Sequence, residues 1–243
     1  MQALLVPELS VVVPVRDEAD NVAPLLADIA AALRGRFDFE IIVIDDGSRD
    51  GTRQQLLAEK AAYPELRVFA HAGRAGQSTA VRNGVTQARA LWIATLDGDG
   101  QNDPVDILKL LAEREQSDPQ IRCFAGWRVA RRDGFVKRVM SRIANAVRSL
   151  LLGDRTPDSG CGLKLFERAA FLDLPYFDHM HRHLPALFQR AGWRVLSVPV
   201  GHRPRTRGAS KYGTLGRAWA GLVDLCGVTW LIRRSRRTDI HPL

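Results

Sequence analysis

Trp92-Ile93-Ala94-Thr95-Leu96-Asp97-Gly98-Asp99-Gly100-Gln101-Asn102-Asp103-Pro104 changes character in its middle. The apolar run Trp92 to Leu96 reads as a buried strand. It stops where two acids appear with one glycine between them. Aspartates at alternate positions just past a strand end can aim their carboxylates into one crevice. The glycines let the backbone turn there and let a ligand come close. Hard oxygen ligands of this kind suit a divalent cation that holds phosphate oxygens, and Gln101 can add a neutral oxygen. Taken alone, the stretch reads more readily as a polar turn between a strand and a helix opened by Pro104. The rest of the chain decides between these readings.

Upstream, the same unit recurs. Leu9-Ser10-Val11-Val12-Val13-Pro14-Val15 is a short β-branched run with the pattern of a fully buried strand, followed by Arg16-Asp17-Glu18 and an amphipathic helix from about Asn21 to Arg34. Phe39 to Ile44 is a second buried strand, ending in Asp45-Asp46-Gly47-Ser48, with Asp50 or Thr52 placed to cap the next helix. Arg67 to Ala70 is a third strand. The glycine-punctuated loop Gly73-Arg74-Ala75-Gly76-Gln77 leads from it into a third helix, and Trp92 to Leu96 is then the fourth strand. Alternation of this kind predicts an α/β fold, a mostly parallel sheet flanked by helices on both faces. Ligands of such sheets bind outside the carboxyl ends of the strands. The clusters Arg16–Glu18, Asp45–Ser48 and Asp97–Gln101 all fall at carboxyl ends, which turns an isolated polar turn into one corner of a candidate site.

Val12-Val13-Pro14-Val15-Arg16-Asp17-Glu18, Val43-Ile44-Asp45-Asp46-Gly47-Ser48 and Leu96-Asp97-Gly98-Asp99-Gly100-Gln101 resemble, in order and spacing, the signatures of family 2 inverting glycosyltransferases. The resemblance is nearest to dolichol-phosphate and undecaprenyl-phosphate sugar transferases and runs from about Leu9 to Ile232. It implies the Rossmann-like GT-A fold. It also implies that Pro14, Arg16 and Glu18 lie along the nucleotide of the donor, that Asp46 contacts base or ribose, and that Asp97, Asp99 and Gln101 surround Mg²⁺ or Mn²⁺ and the diphosphate. Gly76 and Gln77 would offer backbone or amide contacts to the donor, although Ala75-Gly76-Gln77 stands where relatives often carry a more glycine-rich run.

Past Pro119 the charge changes sign. Residues 1–121 hold 12 Lys/Arg against 19 Asp/Glu, and residues 122–243 hold 23 against 8, within a chain of net charge +8. An acidic half facing a basic half suggests a cation on one side and an anion on the other. Ile121 to Gly126 reads as a fifth strand. Arg128, Arg131 and Arg132, just beyond it, match the family's arginine-rich segment, where the resemblance implies a substrate phosphate is met, a task that suits arginine's planar fork of donors. Lys137, Arg138, Arg142 and Arg148 read instead as a solvated helix face.

Asp158-Ser159-Gly160-Cys161-Gly162-Leu163-Lys164 resembles a further family segment, with Asp158 and Ser159 candidates for sugar or acceptor contact. Direct base catalysis is not required of it if the acceptor is a phosphate, already an anion at neutral pH; a hydroxyl acceptor would need a general base, and Asp158 would be the first candidate. Arg182, in a His-Arg-x-Leu-Pro run, is a candidate for the acceptor side. Arg205, Gly208, Ser210 and Lys211 match the family's Arg-x-x-Gly-x-Ser-Lys loop, which suits closure on phosphates, with Arg205 and Lys211 on the acceptor phosphate and Ser210 beside them.

Residues 214–232 form the last predicted helix, read as amphipathic and interfacial, with Arg233-Arg234-Ser235-Arg236-Arg237 directly after it. Two tryptophans and a basic terminus suit an anionic membrane surface. A helix packed on the core with a solvated tail is the other reading. No run of 18 apolar residues occurs. The three cysteines have no paired spacing, which argues against a disulfide framework and a zinc site, and the N-terminus lacks the basic and apolar regions of a signal peptide. The expectation is a GT-A domain over 1–213, with a nucleotide-sugar half (1–121) and an acceptor half (122–213), and an interfacial helix with basic tail over 214–243. It would be cytoplasmic and peripheral on a membrane, either directly or through a membrane protein partner. Its reaction would be metal-dependent transfer of a sugar from a nucleotide-diphosphate sugar to a polyprenyl phosphate. The alternatives are a family 2 transferase acting on a saccharide or another phospholipid, and a nucleotide- or nucleic-acid-binding protein. Nucleic acid is disfavoured because the cations lack interleaved aromatic residues for base stacking.

Overall fold

The computed structural model describes residues 6–129, 148–154, 156–204 and 214–235, the side chains of 214–220 excepted. Seven strands form one sheet: β1 (Leu9–Val15), β2 (Phe39–Asp45), β3 (Leu66–Ala70), β4 (Trp92–Thr95), β5 (Ile121–Arg128), β6 (Lys164–Glu167) and β7 (Arg194–Val200). Their order is β3-β2-β1-β4-β6-β5-β7. The pairs β1·β2, β2·β3, β1·β4 and β5·β7 are parallel, whereas β6 runs antiparallel to both of its neighbours. The chain winds outward from β1 to β3, then returns to place β4 on the other side of β1. That reversal opens a crevice at the carboxyl ends of β1 and β4.

The helices are α1 (Ala19–Leu33), α2 (Thr52–Glu59), α3 (Gln77–Gln87), α4 (Asp106–Gln116), α5 (Arg168–Leu172), α6 (Leu184–Arg190) and α7 (Thr214–Arg233). Strand residues alternate between two cores, as their period of two demands. Val11, Val13 and Val15 join Leu25, Leu26 and Ile29 of α1, Leu56 of α2 and Leu110 of α4 on one face. Val12, Ile42 and Ile44 join Val81 and Val85 of α3, Phe171 of α5, Leu187 and Phe188 of α6 and Val228 of α7 on the other. Each such fully buried aliphatic or aromatic side chain contributes about 1.5–3 kcal/mol of burial. Gly84 of α3 lets that helix approach the sheet, since a β-carbon there would stand 2.4 Å from Val12 Cγ1.

Charged side chains, Glu40, Asp45 and Lys164 among them, lie buried inside this frame. Glu40 of β2 is fully buried and accepts hydrogen bonds from Ser10 Oγ (2.7 Å), Arg89 N (2.7 Å) and Arg67 Nη1 (2.6 Å). Burial alone would raise its pKa, but these donors outweigh that and hold the carboxyl below its ordinary range. It sits at the level of Ser10, its register partner, several residues before the strand ends that carry the site.

α7 packs one side on the sheet's second core through Leu225, Val228 and Ile232. Leu222, Val223 and Trp230 are exposed on its outer side. No helix among the described residues is long and apolar enough to cross a membrane.

Candidate active site

The first two strand ends are stitched to each other. Asp17, with a positive φ of 49°, follows β1; its N–H donates to Ser48 Oγ (2.8 Å), and its Oδ1 accepts from Arg49 N (2.7 Å). The Glu18 N–H donates to Thr52 Oγ1 (2.8 Å), while its carboxylate holds Asn21 Nδ2 at 2.5 Å. Pro14 is buried inside β1, opposite Ile44, and Arg16 and Glu18 are half-buried at its end. Asp45, fully buried, pairs with Arg53 at 3.0 Å and accepts from Ser48 N at 2.9 Å. It therefore shapes the turn that carries Asp46.

The Asp-Gly-Asp turn after β4 is held in place from within. Asn102 Oδ1 accepts the Asp97 N–H (3.0 Å), and Asp99 Oδ1 accepts the Gln101 N–H (3.2 Å). A β-carbon on Gly98 would stand 2.7 Å from Val15 Cγ1 and 2.9 Å from the Pro14 carbonyl oxygen, so only glycine fits against the end of β1. Asp97 Oδ1 accepts from Gln77 Nε2 at 2.8 Å, which joins the amino end of α3 to the turn. Burial first, and the neighbouring Asp99 charge second, push the Asp97 carboxyl above its ordinary pKa. The turn also meets the end of β7. His202 Nε2 lies 3.5 Å from the Gln101 amide, and the Arg203 N–H donates to the Gln101 carbonyl at 2.9 Å. His202 carried no role in the sequence reading; its place just past the carboxyl end of a strand was the signal available.

Asp46 faces the loop into α3. Its Oδ1 accepts from Ala75 N (2.7 Å) and meets His71 Nδ1 (2.8 Å), and its Oδ2 accepts from Gly76 N (2.9 Å). Gly76, at φ +95°, turns that loop into the helix. Gly76 and Gln77 then line a cavity shared with Arg182 and His181. Residues expected on the donor and acceptor sides thus share one space.

Arg128, half-buried, and Asp158, buried, are brought together as an ion pair. Arg128 Nε donates to Asp158 Oδ2 (2.6 Å) and Nη2 to Oδ1 (2.9 Å). This two-point contact raises the Arg128 pKa against the opposing effect of burial. Lys164 of β6 is likewise buried, its ammonium donating to the Cys161 carbonyl and its charge acting on Asp97. Arg131, Arg132, Arg205, Ser210 and Lys211 lie outside the described residues, as do Lys137, Arg138 and Arg142; Arg148, expected on a solvated helix face, is instead buried and paired with Asp154 at 2.8 Å.

Residues 10–174, which carry β1 to β6 and all three acidic turns, match the glycosyl transferase family 2. The chain belongs to this family. The dodecaprenyl-phosphate galacturonate synthase of Rhizobium johnstonii is 34% identical over 238 residues, covering 95% of this chain and 69% of that protein. The undecaprenyl-phosphate 4-deoxy-4-formamido-L-arabinose transferase of Pseudomonas fluorescens is 31% identical over 211 residues, 85% of this chain and 61% of that protein. The chain therefore spans less than two thirds of the second relative. In fold it is similar to the glucosyl-3-phosphoglycerate synthase of Mycobacterium tuberculosis, with a TM-score of 0.69 at 20% identity, covering 96% of this chain and 81% of that one.

The donor set of this family 2 chain fits a hard divalent cation. Asp97 and Asp99 flank one glycine, and the pKa of Asp97 is raised by burial and by that second carboxylate, a charge load that a cation between them would relieve. Gln101 and His202 add neutral ligand atoms at the same turn. No group of three or more His, Cys, Asp or Glu side chains is gathered as a closed cage among the described residues. A cation here would need further oxygens from a substrate.

Proposed function

We propose that this chain transfers a sugar, with inversion at the anomeric carbon, from a nucleotide-diphosphate sugar to a polyprenyl phosphate. The observation that carries the reading is the meeting of Asp97, Asp99 and Gln101 with Gln77 and His202 at the switch point of the sheet. The names of both curated relatives include a polyprenyl phosphate. The glucosyl-3-phosphoglycerate synthase was solved with Mn²⁺ and uridine diphosphate.

Pro14, Arg16, Glu18 and Asp46 form the nucleotide side, with Gly76 and Gln77 at the diphosphate. Asp97, Asp99, Gln101 and His202 would hold Mg²⁺ or Mn²⁺, which when bound supplies positive charge to the departing diphosphate. Arg128, Arg131, Arg205 and Lys211 receive the acceptor phosphate, with Ser210 beside it. The acceptor oxygen is already an anion, so no side chain needs to take its proton. Asp158 supports this choice over a saccharide acceptor: both of its oxygens bond Arg128, which suits holding that guanidinium in place rather than base catalysis. The catalytic domain is residues 1–213, with a nucleotide-sugar half over 1–121 and an acceptor half over 122–213. Residues 214–243 form an interfacial segment that attaches the enzyme peripherally to the cytoplasmic face of a membrane, directly or beside a membrane protein partner.

The test supplies radiolabelled sugar nucleotides and undecaprenyl phosphate with Mn²⁺ or Mg²⁺. Chloroform-soluble label is expected, lost with EDTA and restored by excess Mn²⁺. The reading fails if no common donor labels the lipid, and label on a soluble saccharide instead would select the alternative acceptor. Asp99→Ala is expected to abolish transfer while the protein stays folded, and wild-type rates in that variant would reject its role.

A further inference from the structure

The cavity at the amino end of α3 measures about 250 Å³. That is below the roughly 300–1,000 Å³ of pockets for drug-sized ligands, which suits one sugar ring better than a nucleoside. Gln77, on its wall, also bonds Asp97, so the cavity opens beside the carboxylate pair. Its charge is cationic. Arg74 and Arg182 line it, and the amino end of the 11-residue α3 opens onto it. His181 bonds Ser78 Oγ at 2.7 Å, and burial pushes its pKa well below the ordinary value, so it stays neutral and adds no charge. The one acid among the lining residues, Asp178, is exposed; it accepts the His179 N–H at 2.8 Å and offsets part of the charge of the two arginines. Arg182 is half-buried, and its guanidinium has no carboxylate partner among the described residues.

We propose that this cavity receives the sugar being transferred and that Arg182 selects a donor whose sugar bears a carboxylate, a nucleoside diphosphate uronic acid. This rests on the reading of the site as a nucleotide-sugar transferase. A carboxylate meets the arginine fork in a two-point, charge-assisted contact. A neutral hexose at the same place leaves a half-buried cation without its counter-charge, which penalises the wrong sugar as well as rewarding the right one. The anion that Arg182 meets could in chemical terms also be the acceptor phosphate, and binding of donor without acceptor separates the two sources.

Titration calorimetry with Mn²⁺ and no acceptor compares UDP-galacturonic acid and UDP-glucuronic acid with UDP-galactose and UDP-glucose. One uronic acid is expected to bind the wild-type protein at least about tenfold more tightly than its neutral counterpart. Arg182→Gln should remove that preference by weakening the uronic acid alone, and Arg182→Lys should restore part of it. Equal affinity of acid and neutral sugar in the wild-type protein, or no binding of either acid, would overturn the proposal, and neither result needs a variant that folds. An unchanged donor preference in Arg182→Gln with a raised KM for polyprenyl phosphate would move Arg182 to the acceptor. Because donor binding is read without turnover, failure of transfer to lipid would sink the proposed reaction and leave this result standing.

Discussion

A methyl group on Gly162 would stand 2.1 Å from Asp97 Oδ2 and 2.3 Å from its Cγ. No relaxation of a flexible tip relieves that overlap, because Asp97 is fixed by Gln77 through its side chain and by Asn102 through its backbone. Gly162→Ala must therefore displace the carboxylate that the proposed mechanism sets against the diphosphate. Transfer should fall at least about 100-fold, while the thermal midpoint moves by only a few degrees, since the clash lies at the rim of the core. Gly51→Ala is the control. Its nearest neighbour is Ala19 Cβ at 3.8 Å, an ordinary contact, and its rate should match the wild-type rate. A fully active Gly162→Ala protein would show that Asp97 can move without consequence. The Asp158–Lys164 segment stands out in the sequence as a motif, but its use as a backbone wall against Asp97 depends on a packing 65 positions away, which no local pattern reports.

At the level of elements, α6 and the turn before it carry a pH dependence. Burial first, with Arg148 and Arg182 adding to it against the pull of Asp224, lowers the His183 pKa to about 4. His181 shifts in the same direction, also chiefly through burial. Both are neutral when folded and can bind protons near pH 6.5 when unfolded, so the unfolded chain gains protons first as the pH falls. Stability is therefore complete above pH 6.5 and declines towards pH 4, with His183 alone costing about 2 kcal/mol by pH 5. Denaturant melts at pH 7 and 5 should show the drop, and His183→Leu should reduce it; a pH-independent midpoint would contradict the buried, neutral assignment. A second element-scale expectation concerns α3. Gly84→Ala should cost about 1–3 kcal/mol, because the helix must lift from Val12, and a thermal melt reads it directly. The strands under α3 were legible because β-branched runs of five to seven residues end abruptly in acids or glycine. The direction of β6 was not: Lys164-Leu165-Phe166-Glu167 is four residues long, and periodicity does not encode whether a strand runs with or against its neighbours. The three acidic turns were legible for the same local reason, whereas the engagement of Asp46 with residues 71–76 and the arrival of His202 beside Gln101 depend on chain segments meeting across the sheet.

Along the sequence the chain divides into a negative and a positive half, and α7, in the second, presents an apolar surface. Leu222, Cys226 and Trp230 recur at the four-residue spacing of one helix face, with Val223 beside them; Leu222, Val223 and Trp230 are 53%, 54% and 60% exposed. The opposite side of α7 is fixed to the body by His179 Nδ1–Asp224 Oδ2 at 2.9 Å and by Arg190 Nε donating to the Leu231 carbonyl at 3.0 Å. An apolar outer face on an anchored helix, with exposed Arg233 and Arg234 at its end, fits the boundary of an anionic bilayer better than water. Replacing Leu222, Val223 and Trp230 with glutamine removes that apolar area without touching the inner contacts. Co-sedimentation with phosphatidylglycerol vesicles should then fall at least about tenfold, since a few buried side chains supply several kcal/mol to such binding. The thermal midpoint in solution should hold. Raising salt to about 0.5 M should weaken the wild-type protein's binding by screening its basic residues, and leave an apolar remainder. Transfer to a short, water-soluble prenyl phosphate should persist in the triple variant while transfer to a long-chain acceptor in vesicles declines, because only the second requires the enzyme to sit at the surface. Equal vesicle binding by the wild-type protein and the triple variant would remove α7 from the membrane contact and leave attachment to another part of the chain or to a partner.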